Sequence, residues 1–207
     1  MKRRVRKEDV IRTTWQLITR HGIRAVRVDE IAQCLGMSKR TLYELFPDKT
    51  NLIAACLEQT GRQQKEKIAQ LREEYSGDPL QKLFRIIGKY LGDIYLVDCE
   101  FLSDMKEKSD FTEAYNNDGR FWREEIGSAV QSAIDSGNLL ADVNPTALTD
   151  RLLSSLFESR LRGVSRREQQ QFCRAILRGC ATRQGIERID RLHESDPDTV
   201  SYTHLTL

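Results

Sequence analysis

The residues best suited to chemistry lie close together between Ser38 and Lys49: cations at Lys39, Arg40 and Lys49, hydroxyls at Ser38 and Thr41, and a phenol at Tyr43. These are the types a nucleic-acid groove asks for. Cations meet phosphates or guanine edges, a hydroxyl meets a base or a phosphate, and a phenol meets a phosphate oxygen. Catalysis asks for other sets, and the sequence does not contain them. It has no Gly-rich phosphate loop, no G-x-S-x-G elbow and no H-E-x-x-H pair. His21, His193 and His204 stand far apart, without metal-ligand spacing. The five cysteines, Cys34, Cys56, Cys99, Cys173 and Cys180, are odd in number and form no C-x-x-C pair, so neither a disulfide framework nor a zinc ribbon is indicated. Cys173 and Cys180 lie seven apart on one helical face, where packed apolar thiols are far commoner than redox sensors. The expectation is a protein that is not an enzyme and needs no cofactor or metal.

The elements that must position these groups are legible around them. Ile31, Ala32 and Leu35 give a short helix one apolar stripe, and Gly36 follows where the chain turns with φ above zero. Ser38 then caps a second helix, whose Leu42, Leu45 and Phe46 point inward and whose Lys39, Arg40, Thr41 and Tyr43 point outward. Pro47 ends that helix and Asp48 caps the next. Lys49 falls in the first turn of this third helix, where the dipole disfavours a cation and a phosphate partner would suit it. Two short helices across a glycine turn, the second basic and hydroxyl-rich, read as a DNA-binding helix-turn-helix.

On the ordered set Ile31, Ala32, Gly36, Ser38, Thr41, Leu42, Tyr43, Phe46, Lys49 and Leu52, the segment from about Lys7 to Asn51 resembles the DNA-binding domain of the tetracycline-repressor (TetR) family. The resemblance implies that the helix from Ser38 to Phe46 lies in the major groove, with Tyr43 and Lys49 on phosphates. One position departs from the family. Members usually place Ser or Thr just before the first helix of the motif, to cap it and touch a phosphate; here Arg27 stands there, between Val26 and Val28. Arg27 offers a phosphate a cation but offers the helix no cap.

Net charge is only +2 over 207 residues, yet residues 1 to 50 hold 12 Lys and Arg against 6 Asp and Glu, and the remainder holds 21 against 25. The basic end is the end with the motif. Lys2, Arg3, Arg4, Arg6 and Lys7 form a short arm that can track phosphates or enter a minor groove, or else a solvated terminus. No apolar run approaches membrane-spanning length and no signal-peptide core follows the charged start, so a cytoplasmic protein without a membrane partner is expected.

Elsewhere the punctuation is helical. Val10, Ile11, Thr14, Leu17 and Ile18 make a first helix closing at His21 and Gly22, with Trp15 beside it in a three-helix unit. A long polar helix runs from Leu52 to about Tyr75, and Asp78 with Pro79 starts another bearing Leu80, Leu83, Phe84, Ile87, Leu91 and Ile94. Asp110 with Glu113 opens a helix carrying Phe121, Ile126, Val130 and Ile134, and Asn144 with Pro145 opens the next. Without alternating strand patterns, the fold class is all-α: a helix-turn-helix domain over residues 1–50, a helical regulatory and dimerisation domain over 51–193, and a tail over 194–207. Within that tail, VSYTHLTL at 200–207 resembles translated sequencing-adapter read-through and is set aside.

Two helices bear on oligomeric state. One carries Leu148, Leu152, Leu153, Leu156, Phe157 and Leu161; the next opens with a Ser165–Glu168 capping box and carries Phe172, Ala175, Ile176, Gly179 and Cys180 on one stripe. The resemblance implies that these pair with their copies as a four-helix bundle. Leu152, Leu156, Phe157, Phe172, Ile176 and Gly179 are the expected dimer residues, although the same stripes would also serve a monomer core. The family also implies a small-molecule effector, for which Tyr90, Ile94, Tyr95, Phe101, Tyr115 and Trp122 are candidate pocket residues that would equally suit plain core. The whole reads as a sequence-specific regulator of transcription, a ligand-responsive repressor bound as a homodimer to a pseudo-palindromic double-stranded DNA operator. The alternatives are a ligand-independent regulator, an activator, or a helical protein-interaction module.

Overall fold

The computed structural model describes residues 6–75, 77–107 and 109–195. Among them the chain is all-α: α1 Lys7–His21, α2 Val28–Cys34, α3 Lys39–Leu45, α4 Lys49–Glu74, α5 Pro79–Leu96, α6 Cys99–Glu107, α7 Thr112–Asp135, α8 Pro145–Leu161, α9 Arg166–Gly179 and α10 Arg183–Ser195, with one 3-10 turn at Ser109–Phe111 before α7. Most of the arm and residues 200–207 lie outside the described residues, and α10 carries helix to Ser195, into the segment taken as tail.

Local chemistry sets most of the helix starts. The Asp48 carboxylate accepts the Asn51 backbone N–H at 2.7 Å and its side-chain amide at 2.8 Å, and these bonds hold that carboxyl below its ordinary pKa. Asp78 accepts from Gln81 N–H at 3.0 Å, Asn144 from Ala147 N–H at 2.9 Å, and Ser165 and Glu168 close a reciprocal box at 3.3 and 2.9 Å. Two helices are additions to the sequence reading, α6 and α10. Each begins at a polar residue that accepts a backbone N–H, Asp98 from Glu100 at 3.4 Å and Thr182 from Gly185 at 3.1 Å.

Contacts divide the chain into two units, residues 1–66 with 96–118, and residues 67–95 with 119–207. The first unit therefore includes α6 beside α1 to α3, and buries Val10, Ile18, Ile23, Val26, Ile31, Leu42, Leu52 and Ile53 almost completely. Trp15 packs edge-on to Phe101 of α6, with ring centroids 5.5 Å apart, instead of completing a three-helix core alone. The second unit buries Leu80, Leu83, Ile86, Leu91, Trp122, Ile126, Val130, Leu156 and Leu177.

The loop between α1 and α2 is clamped from two sides of the first unit. Lys49 Nζ donates to Ile23 O at 2.6 Å and to Val26 O, while Asp104 of α6, only 5% exposed, accepts Arg24 N–H at 2.8 Å and pairs with Arg24 Nε at 2.8 Å. Lys49, expected to meet a phosphate, is thus half-buried with its ammonium on loop carbonyls, which need donors because the side chains of Ile23 and Val26 are buried.

In the second unit, α10 closes on the turn after α7. Thr182 donates its N–H to Asn138 O at 3.0 Å and its hydroxyl to Gly137 O at 2.7 Å; Arg188 bonds Asn138 Oδ1 at 3.2 Å and Asp78 Oδ2 at 2.9 Å. Gly185 permits this approach, since a Cβ there would lie 1.9 Å from Asn138 O. Gly185→Ala should therefore destabilise the fold by about 1–3 kcal/mol through overpacking against backbone, read as a lower urea midpoint. Lys49→Ala should cost a similar amount, about 1.5–3 kcal/mol for hydrogen bonds from a charged donor, and a protein melting like wild type would refute the clamp.

Candidate nucleic-acid interface

α2 and α3 are joined by a turn that only glycine enters easily. Gly36 sits at φ 62 and donates its N–H to Gln33 O at 3.0 Å, and Met37 N–H reaches back to Ala32 O at 3.0 Å. A Cβ at Gly36 would meet nothing, so backbone conformation, not space, selects the residue. Ser38 Oγ accepts Thr41 N–H at 3.1 Å and lies 2.9 Å from Thr41 Oγ1, which ties the second hydroxyl to the cap.

On α3, Leu42 and Phe46 are the anchors, 1% and 7% exposed, and Leu45 is half-buried. Ser38, Lys39, Arg40, Thr41 and Tyr43 are all exposed. These side chains stand together at the open surface of the motif. Arg27, also exposed, stands at the N-cap of α2 in extended conformation and makes no side-chain cap, in keeping with its chemistry. It has no carboxylate partner among the described residues. The two cations of α3 do have partners: Lys39 Nζ lies 3.0 Å from Asp29 Oδ1 on α2, and Arg40 Nε lies 3.3 Å from Glu44 Oε1 one turn along α3. The sequence reading left out Asp29 and Glu44; the i, i+4 spacing of Arg40 and Glu44 was the signal available for one of them. Lys7 at the start of α1 lies over the Phe46 ring, 5.5 Å from its centroid, so the base of the arm packs on the end of α3.

The candidate pocket residues are divided between the two units. Phe101 and Tyr115 belong to the first unit; Tyr90, Ile94, Tyr95 and Trp122 belong to the second. Tyr90 packs edge-on to Trp122 at 5.2 Å, and both are buried. The Tyr95 hydroxyl donates to Val164 O and accepts from Gln169 Nε2 at 2.5 Å, under an Arg160 guanidinium 4.8 Å from its ring. The cavity of about 230 Å³ that the second unit opens lies elsewhere, lined by Arg123, Gly127, Gln131, Pro145, Thr146, Thr149 and Asp150. The Phe101, Tyr90 and Trp122 rings and the Tyr95 hydroxyl thus have protein partners in this structure.

The expected dimer residues also divide. Leu152 and Leu156 are 2% and 1% exposed and are buried within their own unit. Phe157 and Ile176 are half-buried, whereas Phe172 and Gly179 are exposed, Phe172 by 40%. Cys173 is buried on the opposite side of α9, and burial pushes its thiol up to about 12, as it does for Cys56. Such thiols stay protonated and unreactive near neutrality.

Residues 10–56 match the model of the bacterial regulatory proteins, tetR family. The HTH-type transcriptional regulator BetI of Stenotrophomonas maltophilia is 35% identical over 89 residues, which are 43% of this chain and 45% of that protein. The match thus spans less than half the length of that curated relative. Among solved structures, a TetR-family regulator from Agrobacterium tumefaciens is similar at TM-score 0.71 with 18% identity, covering 85% of this chain and 97% of its own. A transcriptional regulator from Saccharomonospora viridis, solved in complex with choline, is similar at TM-score 0.63 with 22% identity, covering 91% and 95%. These two likenesses are of fold. No helix among the described residues is long and apolar enough to cross a membrane. The turn at Gly36, the Ser38 cap and the open face of α3 all fall within the segment 10–56 that matches the bacterial regulatory proteins, tetR family.

Proposed function

We propose that this chain is a sequence-specific, DNA-binding regulator of transcription that works as a homodimer on a pseudo-palindromic operator. The observation that carries the reading is the division of α3. Leu42 and Phe46 fix one face in the core, while Lys39, Arg40, Thr41 and Tyr43 stand exposed on the other, at the basic end of the chain. In this role Thr41, Lys39 and Arg40 read base edges, and Ser38, Tyr43 and Arg27 meet phosphates. Lys49 acts from behind, holding the loop that starts α2.

The dimer is supported by α9, where Phe172, Ala175, Ile176 and Gly179 fall at i, i+3, i+4 and i+7 and leave an apolar stripe incompletely covered. Two-fold pairing gives two copies of α3 for successive major grooves. A small-molecule effector that releases the operator completes the reading, as a repressor whose ligand shifts the population toward a dimer with wrongly spaced reading helices. The choline complex of a protein of similar fold supports an effector of small size. A ligand-independent regulator or an activator would share the DNA face, and a protein-interaction module would lack sequence preference.

Selection of bound duplexes from a random pool tests the function directly, with enrichment of one inverted-repeat sequence as the expected result; no enrichment at moderate salt refutes operator binding. Arg27→Ala should weaken binding to all duplexes alike and reduce the slope of log affinity against log salt by about 0.9, the value for one phosphate contact. Phe172→Glu should convert a dimer to a monomer in sedimentation at micromolar concentration. A wild-type monomer would refute the dimer.

A further inference from the structure

We infer that Glu44 and Asp29 are positioning residues for sequence discrimination: each holds one cation of α3 for a base edge and disfavours its attachment to phosphates elsewhere. The inference rests on the DNA-reading role proposed for α3.

The charges of α3 run against what its own stability asks for. Lys39 and Arg40 occupy its first turn, which holds no acidic residue, and Glu44 occupies its last turn, which holds no basic one. The helix dipole favours the reverse placement, and a pair with the cation N-terminal to the carboxylate is the weaker order at i, i+4. Packing does not explain the pairs either. The Arg40 and Glu44 side chains are 90% and 61% exposed, and those of Lys39 and Asp29 are 51% and 55% exposed. Ion pairs so open to water return little net stability. Two carboxylates set into the face that must approach a polyanion also lower its general affinity. Glu44 runs against the dipole of α3, Asp29 suits the first turn of α2 without needing Lys39, and both lower non-specific binding, so selectivity is the gain the pairs offer.

Geometry supplies that gain. Glu44 takes Arg40 through Nε, at 3.3 Å, which leaves the two terminal nitrogens of the guanidinium pointing onward as a fork. That fork matches the O6 and N7 acceptors of guanine in a major groove. An arginine without a partner swings to the nearest phosphate of any sequence; one tethered through Nε loses that freedom, and a groove without guanine at the right step leaves it unsatisfied. Asp29 treats Lys39 in the same way from α2, at 3.0 Å, so the position of that ammonium depends on the angle between the two helices of the motif. Arg27, with no carboxylate partner among the described residues, is the contrasting case of a cation left for the backbone.

The test measures binding of full-length wild type, Glu44→Gln, Asp29→Asn and Arg40→Ala to the selected operator and to an unrelated duplex, across a salt series. Expected for Glu44→Gln and Asp29→Asn is three- to tenfold tighter binding to the unrelated duplex, with the ratio of operator to unrelated affinity falling tenfold or more. Reselection with Glu44→Gln should lose the same guanine in each half-site that Arg40→Ala loses, and Glu44→Asp should restore part of the preference. A merely structural role would weaken both duplexes together, and that result overturns the inference, as does an unchanged ratio with an unchanged selected site. A wild-type protein that selects no sequence overturns the proposed function and the inference with it. A wild type that selects a site which Glu44→Gln reads equally well overturns the inference alone.

Discussion

The helix-turn-helix depends on one ammonium group. Lys49 bonds the carbonyls of Ile23 and Val26, two residues whose side chains are buried to 1% exposure or less, in a loop with no regular secondary structure to satisfy its backbone. A loop that buries aliphatic side chains must still find partners for its polar groups, and here a side chain from α4 supplies the donors. Asp104 of α6 supplies the acceptor for Arg24 N–H. Gly22, at φ 80, completes the arrangement, since a Cβ there would stand 3.0 Å from Glu100 Cβ and 3.2 Å from Asp104 Oδ2. The start of α2, and through the Gly36 turn the direction of α3, therefore follows from where α4 and α6 hold this loop.

This division of labour among cations sharpens what charge distribution alone conveys. The excess of Lys and Arg in the first 50 residues speaks of attraction to a polyanion but not of how each charge is used. One, Lys49, is consumed in holding the fold. Two, Lys39 and Arg40, are paired with carboxylates, and Arg27 has no carboxylate partner among the described residues. Counting charges would have assigned all four to phosphates. Hydrogen-bond geometry separates them, and in the proposed role that separation lets affinity and discrimination be set by different residues.

The parts legible in the sequence were those whose causes are local. Gly36, the caps at Ser38, Asp48, Asn144 and Ser165, and the Pro79 start each act within a few residues, and each sits where spacing placed it. What escaped depends on a partner distant in sequence. Lys49 lies in a first turn whose dipole invites an anion, and only the carbonyls 23 and 26 residues upstream reveal another use. Trp15 meets Phe101, and Leu152 and Leu156 turn into their own unit because α8 carries apolar residues on more than one face, which periodicity reports as a single broad stripe. The helix α6 is short, whereas α10 is strongly amphipathic and carried a signal in its spacing; both are held by contacts, Asp104 with Arg24 for one and Thr182 with Asn138 for the other.

For an effector, the packing of the second unit sets a physical condition. Tyr90, Ile94 and Trp122 are buried and in contact with their surroundings, so a molecule entering among them must open its own volume. At about 24 cal/mol per Å³, a cavity of roughly 150 Å³ costs about 3–4 kcal/mol, which is subtracted from affinity but becomes available as a difference between two packings. Tyr95 links that cost to the rest of the unit. Its hydroxyl joins α5 to Val164 in the α8–α9 connection and to Gln169 in α9, and Arg160 of α8 both covers its ring and bonds Ile94 O at 3.1 Å. Any repacking that moves Tyr95 must therefore break or carry with it the start of α9. On its other side α9 presents Phe172, Ala175, Ile176 and Gly179, so one helix joins the aromatic core to the stripe proposed to meet a second copy. A ligand that pays to open this core would by the same movement shift the stripe proposed to meet a second copy.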